Sequence, residues 1–111
     1  MDMHLVTSAI TFAECRRGVA RARQSARISA AEERSAMRVV DEFHRRCAVV
    51  PVGPEVLDRV GRQFPVEPVR SLDGIHLASL EVLGVLRRAI KVVTRDRRVR
   101  DTVARMGFPL A

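Results

Sequence analysis

Apolar positions along the chain switch between short continuous runs and stripes of helical spacing, in the order strand, helix, helix, strand, helix, helix, strand, helix, strand. His4 to Thr7 (HLVT) reads as a short strand, and from Ser8 the period turns helical, with Phe12, Cys15 and Val19 at i, i+3 and i+7. Arg16, Arg17, Arg21, Arg23 and Arg27 follow at once, around the second half of this helix and the link beyond it; they make the densest basic region of the chain. Ser29 and Glu32 form an S-x-x-E capping box, after which Ala36, Val39, Val40 and Phe43 give an apolar stripe that closes at Arg45 and Arg46. Ala48 to Val52 (AVVPV) is the second strand. Gly53-Pro54 breaks it and sets Pro in the first turn of a helix bearing Val56, Leu57, Val60 and Phe64, ended by Pro65 and Pro68. Ser71 is the expected cap of the next helix, which runs through Leu72, Ile75, Ser79 and Val82 to Gly84. Ile90 to Thr94 (IKVVT) is the last strong strand, followed by a helix with Val99, Val103 and Met106 on one face and Gly107 as terminator; Phe108 to Leu110 adds a short edge strand.

Strands alternating with helices imply a parallel sheet, because parallel neighbours need crossover connections and the crossover helices then cover both faces. The expected fold class is a three-layer α/β/α arrangement. A length of 111 residues fits one domain, residues 1–111, around one core. In such sheets the chemistry collects beyond the carboxyl ends of the strands, so acidic residues just after strands carry the most weight.

Composition adds a partner class and removes several others. The formal net charge is +7, from 20 basic against 13 acidic residues. All the basic residues but Lys91 are arginine, whose planar fork matches phosphate oxygens. The charge fits an anionic partner, while a solvated basic surface is the plain alternative. With no Trp or Tyr, and with Phe12, Phe43 and Phe64 on helix faces that read as buried, base stacking is not the expected mode of recognition. Any nucleic acid is then held through its phosphates, with affinity that falls steeply as salt rises. Cys15 and Cys47 have neither C-x-x-C nor Cys/His spacing, so they read as reduced, buried thiols rather than zinc or redox ligands. No apolar run reaches the roughly 20 residues of a membrane span, and no charged segment followed by an apolar one opens the chain; the expected location is the cytoplasm.

Three acids meet or nearly meet the strand-end rule: Glu14 in the helix after HLVT, Asp73 near the start of its helix, and Asp96 two residues beyond IKVVT. Two carboxylates within about 4 Å repel by about 4 kcal/mol at an effective dielectric near 20, so such a cluster stays ionised only when a cation bridges it. Oxygen-only ligands select Mg²⁺ or Mn²⁺ over zinc, and such an ion activates water against a phosphodiester and stabilises the leaving oxygen. Each acid also has a structural explanation. Thr11-x-x-Glu14 fits a capping box, Asp73 in a first helical turn complements the helix dipole, and Asp96 fits the N-cap of the last helix.

TSAITFAECRRG (Thr7 to Gly18), RSLDGIHLASLEVLG (Arg70 to Gly84) and VVTRDRRVRDTVARMGF (Val92 to Phe108) resemble, in order and spacing, the later blocks of the PIN-domain family, and of VapC-type toxins in particular. The most specific piece is S-L-D-x-I-H-L-A followed by a strand and T-x-D-R-R. The resemblance implies a PIN-like fold in which Glu14, Asp73 and Asp96 are the second, third and fourth acids of a divalent-metal cluster that cleaves RNA endonucleolytically. It also implies a cognate antitoxin and a possible homodimer. His76 belongs to the motif but reads as a structural histidine, Thr94 is a candidate to hydrogen-bond water at the cluster or a plain strand-end residue, and Asp101 reads as solvated.

That family opens with a strand ending in an L-D-T-S-like motif whose Asp is the first metal ligand, and no such motif precedes His4. Leu5 to Ala9 (LVTSA) has Val6 where the acid belongs and continues into the second block, and Asp2 precedes a strand instead of following one. The expectation is therefore an N-terminally truncated domain, with two strand edges and a flank of the core exposed. A start placed inside a longer reading frame, suggested by Met1 and Met3, a true remnant, and a fragment completed by another chain are the readings that follow. Functionally these become a ribonuclease of the toxin type that is impaired as it stands, a catalytically inactive remnant that still binds antitoxin or RNA, or a DNA-directed nuclease of the same superfamily.

Overall fold

The computed structural model describes residues 5–84, 91–94 and 96–110. These fall into two compact units, Met1–Val50 and Pro51–Ala111.

In the first unit, strand β1 (Leu5–Ser8) pairs in parallel with strand β2 (Cys47–Val50), in the register Leu5 with Cys47 to Ser8 with Val50. A parallel pair cannot be closed by a tight turn, and the intervening residues form two helices, α1 (Ile10–Gln24) and α2 (Ala30–Arg46). The ladder runs one step past β1, where the Ala9 N–H donates to the Val50 carbonyl at 2.8 Å. At that point the buried Ser8 hydroxyl accepts from the Ile10 N–H at 3.2 Å and starts α1. Thr11 therefore lies inside the helix instead of capping it, and its hydroxyl meets that of Thr7 at 2.7 Å; the expected Thr11-x-x-Glu14 capping box does not form.

The Ser29–Glu32 box forms as the spacing requires. Glu32 N–H donates to Ser29 Oγ at 3.1 Å, and Ser29 N–H donates to Glu32 Oε1 at 2.9 Å. Phe12 is the packing anchor of this unit. Its buried ring stacks on His44, with centroids 3.9 Å apart, and tilts against Phe43 at 5.9 Å. The apolar stripe of α2 is less covered than its pattern predicts: no residue of α2 is buried, Phe43 is 38% exposed and Val39 69%. Cys15 likewise faces solvent, contrary to expectation, while Cys47 is half-buried and both thiols are free.

The second unit holds α3 (Pro54–Val60), α4 (Ser71–Leu83) and α5 (Arg97–Arg105). Pro54 occupies the first turn of α3 as its fixed φ favours. The helix stops at Gly61, a turn earlier than the proline positions suggested, so Phe64 sits in the following loop. There its buried ring lies under the Arg59 guanidinium at 4.1 Å, while Arg59 Nε donates to Glu81 of α4. Glu67 holds the loop by accepting from the Phe64 and Val69 N–H groups, both at 2.8 Å. α4 buries Gly74, Leu77, Ala78 and Ser79. A Cβ at Gly74 would stand 3.2 Å from Val60 and 3.7 Å from Phe64, so the missing side chain sets how closely α4 approaches the α3 loop. Ser71 is the first helical residue and Arg70 takes the N-cap place without a side-chain cap bond, which corrects the expected Ser71 cap.

Of the third strand, Ile90 lies outside the described residues. Val92 forms a parallel bridge with Leu110, with its N–H donating to the Pro109 carbonyl at 2.9 Å. That return passes through Gly107, whose φ of 89° is open to glycine at little steric cost. Val103 and Phe108 are buried behind it.

Two measurements probe this packing. Leu77→Ala, at a side chain 2% exposed, is expected to lower unfolding free energy in urea by about 2–5 kcal/mol, whereas Val39→Ser changes it by less than about 0.5 kcal/mol. The Ser29 backbone and side-chain hydrogen bonds hold the Glu32 carboxyl below its ordinary pKa of 4.5, so the ionised box stabilises the folded chain above that pH and is lost as pH falls through the lowered value. The thermal midpoint of the parent chain relative to Glu32→Gln should therefore fall on acidification below pH 4.5; a pH-independent difference would count against it.

Candidate active site

Asp96 enters the site through its backbone role. It is the N-cap of α5, and its Oδ1 accepts from the N–H groups of Arg98 at 2.8 Å and Val99 at 3.2 Å. The Asp96 N–H donates in turn to Thr94 Oγ1 at 3.2 Å, so Thr94 braces the turn that precedes the helix. Both capping bonds fall on one carboxylate oxygen, which leaves Oδ2 outside the cap. Capping and ligation are thus compatible in one side chain.

Asp73 lies in the first turn of α4, half-buried, where the positive end of the helix dipole favours an anion. It lines the same cleft as Asp96, a depression of about 390 Å³ within the second unit. Two acids that the sequence separates by a helix and a strand run are thereby brought to one lining. Glu14, the third expected site residue, is half-buried on α1 of the first unit. His76 is half-buried on α4 and Asp101 is exposed on α5. Among the described residues, no group of three or more His, Cys, Asp or Glu side chains gathers closely enough to hold a metal ion.

The cleft nonetheless has donors that suit a hard cation. Mg²⁺ is commonly held by one or two carboxylates, with water and substrate phosphate completing its shell. Asp73 and Asp96 supply two carboxylates and, among the described residues, no imidazole or thiolate lines the cleft, so its donor set is of the oxygen kind that a hard divalent cation takes.

Among the described residues, three further charged side chains belong to the cleft lining, Arg70, Arg97 and Arg98, to none of which the sequence pattern gave a role, although the last two stand in its T-x-D-R-R segment. Their signal is present in the sequence, since each stands within three residues of Asp73 or Asp96. Adjacency in sequence does not say which side chains share a wall, and that is decided by the packing of α4 and α5. The rest of the lining is proline, aliphatic side chains and Thr102, with no aromatic ring.

No helix of the described chain is long and apolar enough to cross a membrane. No curated protein and no solved structure matches the sequence. The family model for the PIN domain matches residues 2–104. PIN domains are generally nucleases that bind RNA and typically use divalent metal ions. With that match over nearly the whole length, and a parallel strand pair joined by helices in a chain whose second unit brings Asp73 and Asp96 to one cleft, the protein belongs to the PIN-domain family.

Proposed function

We propose that this protein is a metal-dependent endoribonuclease of the VapC toxin type, working in the cytoplasm as a single PIN domain over residues 1–111, with Glu14, Asp73 and Asp96 as its acidic residues. The observation that carries the reading is the shared cleft of Asp73 and Asp96, in a chain of a nuclease family. A divalent ion held there, Mg²⁺ or Mn²⁺, would supply Lewis acidity toward a phosphodiester.

The protein's own part is to hold charge in place. Asp73 is carried on a helix seated closely against Val60 at Gly74, and Asp96 is held through Oδ1 by its two capping bonds, which leaves Oδ2 for a cation. Glu14 is assigned to the same cluster by the family pattern. The basic balance of the chain favours a polyanion, the family makes RNA the choice, and the same charge suits an antitoxin segment that presents acidic side chains. A homodimer is part of the proposal through the family resemblance alone.

The test is cleavage of a single-stranded RNA by the full reading frame in which this sequence lies, with Mg²⁺ or Mn²⁺ and with chelator. Activity is expected with metal and is expected to drop by at least about 100-fold in Asp73→Ala. Cleavage that persists in chelator and in both Asp73→Ala and Asp96→Ala would overturn the assignment. Retained RNA or antitoxin binding without cleavage under any metal would identify a binding protein instead.

Asp96 allows capping and catalysis to be separated. Asn caps helices as well as Asp does, so Asp96→Asn should keep the thermal midpoint of the parent and lose cleavage, while Asp96→Ala should lose cleavage and about 1 kcal/mol of stability. Thermal melts run beside the cleavage assay check both.

A further inference from the structure

The three arginines of the cleft are placed against local helix energetics. Arg97 and Arg98 are the first two residues of α5, whose first turn contains no acidic residue. That is the positive end of the helix dipole, where cations are disfavoured and Asp or Glu preferred. Arg70 occupies the N-cap place of α4, where Ser, Thr, Asp or Asn would bond an exposed N–H, and it makes no such bond. All three side chains are exposed, and none forms an ion pair among the described residues. Placements that break the local rule without a compensating interaction in the folded chain are the expected mark of a binding role.

The cleft chemistry identifies the ligand class. Asp73 and Asp96 alone would repel a polyanion, and the three guanidiniums on the same lining reverse that balance. Guanidinium forks match phosphate oxygens in a bidentate way. The absence of an aromatic ring in the lining leaves no platform on which a base could stack. We infer that Arg70, Arg97 and Arg98 hold the phosphodiester backbone of single-stranded RNA in the cleft they share with the acidic pair, as positioning residues that read no base. This rests on the nuclease reading for its choice of polyanion, but it concerns binding and is separable from cleavage.

The experiment measures binding of fluorescein-labelled U12 and A12 oligoribonucleotides by anisotropy, in chelator so that no turnover occurs, across a salt series. The proteins compared are the parent chain, Arg97→Gln/Arg98→Gln, Arg70→Gln, and Arg38→Gln as a control on α2. The double variant is expected to weaken binding of both oligomers about tenfold and equally, and to reduce the slope of log affinity against log salt by about 1.4, at about 0.7 for each phosphate that is no longer neutralised. Arg70→Gln is expected to reduce the slope by about half as much. The double variant should also melt at or above the parent temperature, since it removes two cations from a helix N-terminus; a structural role for these arginines would lower it.

An unchanged slope in the double variant, or an equal loss per residue in Arg38→Gln, would overturn the inference. So would a loss confined to one of the two oligomers. If Asp73→Ala abolishes cleavage while the arginine variants bind as the parent does, the nuclease reading stands and this one fails. If the arginine variants lose binding while cleavage never appears, the reverse holds.

Discussion

The carboxylate of Asp96 both starts a helix and lines the cleft of the second unit. A helix start leaves backbone N–H groups without partners, and α5 has no acidic residue in its first turn to soften that end. Two of those groups are satisfied by Asp96 Oδ1, so the side chain that ends the turn after Thr94 also determines where α5 begins. Shifting the helix start by one residue would move Asp96 off the cap, change which arginines stand at the first turn, and alter the face that presents Thr102 and Val103 to the interior. The start of α5 is therefore set by one pair of hydrogen bonds, and its seat by the buried Val103.

The other wall is fixed by an absence. Gly74 lets α4 settle against Val60, Phe64 and Val69 at a distance that a Cβ would resist, and Asp73 precedes it directly. Arg59 reinforces this seat from the side, bonding Glu81 of α4 while covering the Phe64 ring. The pair is only partly screened from water, so its contribution is modest in electrostatic terms. Its geometric effect is larger, since it ties α3, the following loop and α4 together near the buried Leu77 and Val56.

Sequence periodicity locates the helices and the parallel class well, because both follow from local constraints. The Ser29–Glu32 box, Pro54 at a helix start and Gly107 beyond a helix end each satisfy backbone requirements within a few residues. Periodicity misjudges burial where a stripe alone is the guide. Val39 and Phe43 have the spacing of a core face, yet α2 buries none of its residues, because periodicity reports which side chains share a face and not whether another element covers it. Cys15 fails for the same reason. Phe64 has the spacing of a further turn of α3, but Gly61 terminates that helix ahead of the prolines.

For the site, the residues alone mark Glu14, Asp73 and Asp96 as candidate acids through the family pattern, and they foretell the cap that Asp96 provides. Ligand type, helix position and capping are local properties, set by residues within a turn of one another. That Asp73 and Asp96 line one cleft, and that Arg70, Arg97 and Arg98 line it with them, follows from the packing of the folded chain. The two acids belong to different helices, and which of the side chains share a wall is set by how α4 and α5 pack, through Gly74, Leu77 and Val103, rather than by any spacing along the chain.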